Sequence, residues 1–153
     1  MTKSIRAALA LAVAALGPVA CSETPEQPDS AAPDAPAGIT VANARLMLPP
    51  VAGNPGAVYF DVKNEGERNM FIRAVSVAGA DSAEMHTPDM QLVLQVAVPP
   101  GGETKFEPGG QHVMAMDLAD TVTAGGTAEV TATFLGGDKV SFAAEVRAAG
   151  DER

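Results

Sequence analysis

Apolar and polar residues alternate along most of the chain beyond residue 38, and no segment there sustains the three- and four-residue spacing of a helix. Alternation with a period of two is the mark of a half-buried strand. It predicts eight strands, over 39–47, 57–63, 70–77, 90–98, 103–106, 111–118, 127–135 and 139–147. Clusters of Gly, Pro, Asn and Asp separate them. "FLGGDKV" reads as a hairpin turning at Gly136, Gly137 and Asp138, and "VPPGGET" and "EPGGQ" read as further turns. So many short strands in one domain predict an all-β fold, an antiparallel Greek-key β-sandwich.

The first part of the chain has a different pattern. Residues 1–20, "MTKSIRAALALAVAALGPVA", place two positive charges before a short run of Ala, Leu and Val that breaks at Gly17 and Pro18. This is the layout of an export signal peptide, and the run is too short to span a bilayer. Cys21 follows directly after a small residue, which resembles the lipobox of bacterial lipoproteins and makes Cys21 the expected lipidation site. Pro18 stands where such motifs usually carry Leu, so plain secretion with cleavage after Ala20 is the alternative. Residues 21–38 are rich in Pro and Ala and poor in apolar surface, the composition of a tether. The expected organisation is therefore a signal at 1–20, a tether at 21–38, a folded domain at 39–147 and a short tail at 148–153.

Charge and cysteine content narrow the function. The chain of 153 residues carries a net charge of −9, and removal of Lys3 and Arg6 with the signal leaves 8 basic against 19 acidic residues, or −11. Such a surface repels nucleic acid. One cysteine allows no internal disulfide and no paired-cysteine redox, haem or zinc motif. No nucleophile stands beside a base, so the chain does not read as an enzyme.

The remaining chemistry sits in "AEMHTPDMQLVLQVAVPPGGETKFEPGGQHVMAMDL", which holds both histidines of the chain and four of its seven methionines. In "QHVMAMDL", strand alternation places His112, Met114 and Met116 on one face. In "MHTPDM", a loop of Thr87, Pro88 and Asp89 would leave His86 and Met90 as a cross-strand pair. Met85 could serve as an additional ligand, although it should point away from His86. Methionine is also a common core filler, and each group taken alone allows that reading. Two imidazoles with two thioethers and no thiolate suit copper, above all Cu(I), and suit Zn²⁺, Mg²⁺ or Ca²⁺ poorly. Asp89 and Asp117 are close enough in sequence to orient an imidazole, though acids beside turns more commonly face solvent.

The same stretch resembles the periplasmic copper chaperones whose motif is H-x10-M-x21-H-x-M. Met90, His112 and Met114 reproduce the M-x21-H-x-M part, and "GNPGAVYFDVKNEG" and "VPPGGETKFEPGGQHVMAMDL" are similar to the family's entry strand and its Pro-Gly-Gly turn. The departure is at the first spacing, where three residues rather than ten separate His86 from Met90. The resemblance implies a cupredoxin-like sandwich binding one Cu(I) through His86, Met90, His112 and Met114, with Met85 and Met116 as possible additions. It implies a monomeric carrier in the periplasm or cell envelope of a Gram-negative bacterium, touching the membrane only through a lipid at Cys21. Its partners would be a cytochrome c oxidase subunit or a thiol-bearing copper assembly protein, and no nucleic acid. The rival readings are a copper-sequestering tolerance lipoprotein and a metal-free structural sandwich.

Overall fold

A computed structural model describes residues 36–151. The expected signal at 1–20, Cys21 and nearly all of the expected tether lie outside the described residues. Nine strands follow: β1 (Ile39–Met47), β2 (Gly56–Asn64), β3 (Met70–Val77), β4 (Ser82–His86), β5 (Val96–Val98), β6 (Glu103–Phe106), β7 (His112–Met116), β8 (Thr127–Phe134) and β9 (Lys139–Arg147). They form one continuous sheet in the order β4-β7-β2-β1-β9-β8-β3-β5, with β6 joining β2 beside β7. The sheet curls until β3 and β4 lie against each other, so that its two halves enclose a common core.

Alternation builds that core directly. Val58, Phe60 and Val62 of β2, Val130, Ala132 and Phe134 of β8, and Val140, Phe142, Ala144 and Val146 of β9 all point inward. Each large apolar side chain removed from water in this way contributes about 1.5–3 kcal/mol. The Phe60 ring stacks on Phe106 with centroids 4.4 Å apart and tilts against Phe142 at 5.0 Å. Asn64 is the one fully buried amide among the described residues; its Nδ2 donates to the carbonyls of Arg68 and Val98, and its Oδ1 accepts from Gly66 N–H. The expected glycine hairpin is present: Gly136 and Gly137 both adopt positive φ, at 114° and 102°, between β8 and β9.

Two features depart from the alternation-based expectation. Every strand pairing is antiparallel except that of β1 with β9, which is parallel over Arg45–Glu145, Leu46–Val146 and Met47–Arg147. The whole intervening domain serves as the crossover that a parallel pair requires. The second is β4, a strand the alternation did not reveal, while the strand expected over 90–98 contracts to β5. The sequence of β4, Ser-Ala-Glu-Met-His, has no Val, Ile, Thr, Phe, Tyr or Trp, and pairing with β7 supplies what propensity does not.

Candidate metal centre

Strands β4 and β7 carry the histidines and set them opposite each other. Their antiparallel register pairs Ser82 with Met116, Glu84 with Met114, Met85 with Val113, and His86 with His112. Alternation then sorts the side chains. Met85, Val113 and Ala115 point into the core and are almost fully buried. Glu84 and His86 share the opposite face with His112, Met114 and Met116.

On that face, three of the expected ligands come together. His86 Nδ1 lies 2.9 Å from Met114 Sδ, the diagonal neighbour across the pair. The two imidazole rings stand edge to face with centroids 6.0 Å apart. His86 is 9% exposed, while His112, Met114 and Met116 are half-buried. The site is thus a partly exposed sheet face, with His86 nearly covered and the other three side chains reaching solvent. Met116 sits one row farther along, opposite Ser82. Met85, a possible further ligand on sequence grounds, has its side chain in the hydrophobic core on the other face, away from His86 and Met114.

Met90 is placed differently from the expectation. Its N–H donates to the Thr87 carbonyl, and the Thr87 N–H donates to the Gln91 carbonyl, while Thr87 Oγ1 accepts from Gln91 N–H. These bonds close a loop of Pro88, Asp89 and Met90, one residue later than the expected loop. The cross-strand partner of His86 is therefore Leu92, and Met90 occupies the tip and is 54% exposed. Its φ is 59°, the left-handed conformation that glycine normally supplies in such a hairpin. A residue as bulky as Met is strained there, and strain held at one position is a pointer to function. Met90→Gly is expected to raise stability by about 0.5–1 kcal/mol, the relief of left-handed strain less the extra chain entropy of glycine. A melting curve checks it, and a destabilised Gly variant would remove the argument from strain.

The groups that meet the imidazoles are not Asp89 or Asp117. Glu84 Oε2 approaches His86 Nε2 at 3.4 Å, and His112 Nδ1 lies 3.1 Å from the Gly110 carbonyl. Neither partner was legible without β4 and the turn before β7, although "EMH" read as a strand would have put Glu84 on the face of His86. Among the described residues, no group of three or more His, Cys, Asp or Glu converges to hold a metal ion. The donor set that converges is nitrogen with thioether sulfur.

Comparison with known proteins points the same way. The family model for lipoprotein LpqE-like matches residues 39–146. Among solved structures, the copper-bound PCuAC domain from PmoF2 is 25% identical, with a TM-score of 0.65 over 72% of this chain and 93% of that one. The apo PCuAC domain from PmoF1 is also 25% identical, with a TM-score of 0.66 over 72% and 94%. The Cu(I) form of DR1885 from Deinococcus radiodurans is 25% identical, with a TM-score of 0.57 over 78% and 81%. A search of the curated proteins finds no match.

Proposed function

Because the chain belongs to the LpqE-like family and shares the fold of copper-binding PCuAC domains, we propose that it is a copper chaperone of the cell envelope, carrying one Cu(I) as cargo. The observation that carries this reading is the convergence of His86, His112 and Met114 on one open sheet face, with nitrogen and sulfur 2.9 Å apart. Bonds from a first-row ion of about 2.0 Å to nitrogen and 2.3 Å to sulfur hold such donors about 3–3.5 Å apart, so little movement is needed to admit the ion. Imidazole and thioether without thiolate favour Cu(I) and leave it displaceable by a stronger donor.

Met90 is proposed as the fourth ligand, swung in from the hairpin tip, and Met116 as a reserve donor one row away. The strain at Met90 fits a side chain held ready for the metal. Met90→Gly, expected to stabilise the fold, is expected to weaken copper binding at the same time.

The surroundings suit a hand-off. Met90, Leu92 and Leu94 are each more than half exposed and line the return segment beside His86. Apolar surface of this kind beside a site marks a place where another protein docks. The receiver is proposed to be the copper centre of cytochrome c oxidase or a thiol-bearing assembly protein, with the carrier monomeric, active in the periplasm and tethered by a lipid at Cys21. Nothing in this role requires catalysis.

The test is Cu(I) competition against a chromophoric chelator, followed by mixing of the loaded chain with a copper-free oxidase copper domain. One equivalent bound and then transferred is the expected outcome. Retention in the presence of the acceptor would favour sequestration, and no binding at all would end the carrier reading.

A further inference from the structure

Met90, Leu92 and Leu94 form an apolar strip beside His86, and Leu94, at 73%, is the most exposed large apolar residue among those described. What such a strip accepts depends on the charges around it. Asp89 lies in the hairpin loop itself, and Glu84 projects from β4 on the face of His86. Asp81, whose N–H donates to the Met116 carbonyl, and Asp117 stand at the far end of the β4–β7 ladder. All four are exposed. No lysine or arginine occurs over 74–104 or 106–138, the stretches that supply β4, the hairpin, β5 and β7. Elsewhere on the domain acids and bases neutralise one another. Lys63 meets Glu65 at 2.7 Å, Lys105 meets Glu103 at 3.3 Å and Asp61 at 3.7 Å, and Arg147 meets Glu145 at 2.8 Å. Asp81, Asp89 and Asp117 have no cationic partner among the described residues. Arg45, two strands from β7, has its guanidinium over the Tyr59 ring at 5.0 Å, and Arg73 stands on the β5 side, next to the Ile72–Val96 pair.

From this we infer that the strip is the surface on which the copper receiver docks, and that the receiver meets it with an apolar centre ringed by Lys or Arg. The inference rests on the carrier reading and gives its partner a chemistry. Like charges gathered without partners repel one another, so a cationic ring relieves that repulsion while an anionic surface adds to it. A second copy of this chain and an anionic lipid surface both carry the sign of the rim, so neither is the occupant. The apolar centre supplies what charge does not, because an exposed leucine gains by leaving water whatever the salt. The opposed charges steer the encounter, so the first contact is made on the face that holds the metal.

The experiment loads the full chain with Cu(I) and offers it two synthetic acceptor peptides with the same apolar, two-cysteine core, one flanked by lysines and the other by glutamates. Transfer rates are read by stopped flow at low salt and in 1 M salt. Wild type is compared with a strip variant, Asp81→Asn with Asp89→Asn and Asp117→Asn. A control variant, Glu65→Gln with Glu67→Gln and Asp138→Asn, removes as many charges at the Ile39 end of the domain. Wild type is expected to supply the lysine peptide about tenfold faster or more at low salt. In 1 M salt, where charges are screened beyond about 3 Å, the gap should close. The strip variant should lose most of the gap and the control variant should keep it. Leu94→Ser should slow transfer to the lysine peptide about fivefold, with Cu(I) affinity and melting temperature as in wild type. Equal rates for the two peptides in wild type, a gap that the strip variant keeps or the control variant loses as fully, or a Leu94→Ser variant as fast as wild type would overturn the inference and leave the carrier reading in place. So would a strip variant that takes up Cu(I) more weakly yet transfers it as before, because the acids would then serve the ion. A chain that binds no Cu(I) would bring down the carrier reading and the inference with it.

Discussion

Phe60→Ala is expected to destabilise the domain by about 3–5 kcal/mol, the usual cost of deleting a buried aromatic ring. The residue is fully buried in β2, the strand that pairs with β1, β6 and β7 at once. Its ring is held between Phe106 and Phe142, and the chain has no Trp and only five Phe to fill its core. Small core residues such as Ala115, Ala132 and Ala144 have little side chain with which to fill a void. Against a typical total of about 5–15 kcal/mol, the loss leaves a marginal fold. The melting temperature should fall on the order of 10–20 °C. Urea denaturation of wild type and variant gives the number directly, and a loss below about 1 kcal/mol would mean the three rings are not the centre of the core.

Met114→Leu is expected to keep the fold and lose the copper. Leu and Met differ little in volume, so the half-buried position should tolerate the exchange at a cost below about 1.5 kcal/mol. The thioether facing His86 Nδ1 is removed, however, and hydrocarbon offers the ion nothing. Loss of a partner that merely supports a ligand already costs about 10–100-fold in affinity, so loss of the ligand itself should reach at least about a hundredfold. His112→Ala is expected to lose as much, and Met90→Leu less, because Met90 sits on a hairpin tip rather than on a paired strand. Affinities and melting temperatures measured on the same samples separate the two effects. Equal affinity in Met114→Leu and wild type would place the metal elsewhere or nowhere.

Much of this was legible in the alternation of the sequence. Strands β1, β3, β6 and β9 have the bounds that alternation assigns them, and β9 buries every second residue without a break, whereas β1 and β3 each shift register once along their length. The shared face of His112, Met114 and Met116 follows from the same rule. What escaped was whatever a neighbour decides. β4 is a poor strand by composition and exists because β7 pairs with it. The parallel contact of β1 with β9 joins the first and last strands, and no turn between them announces it. The Met90 hairpin turned on one residue: with Pro88 directly after Thr87, the Thr87 hydroxyl and carbonyl both fold back on the loop, which slides its closure forward and brings Leu92 to His86. The convergence of the two histidines was thus readable, and the identity of the residue beside them was not.

The course of β1 also decides which way the molecule faces. Ile39 opens the strand beside Asn64, whereas Met47 closes it in the row that continues through Ala57 to Met114. Those ends are eight residues apart, about 25 Å of extended chain. Any pull from upstream of Ile39 is therefore applied at one pole of the body, and the methionine and histidines sit toward the other. Held by that end at a surface, the domain would stand like a post with its cargo uppermost. A receiver would meet the metal first and the anchoring surface last.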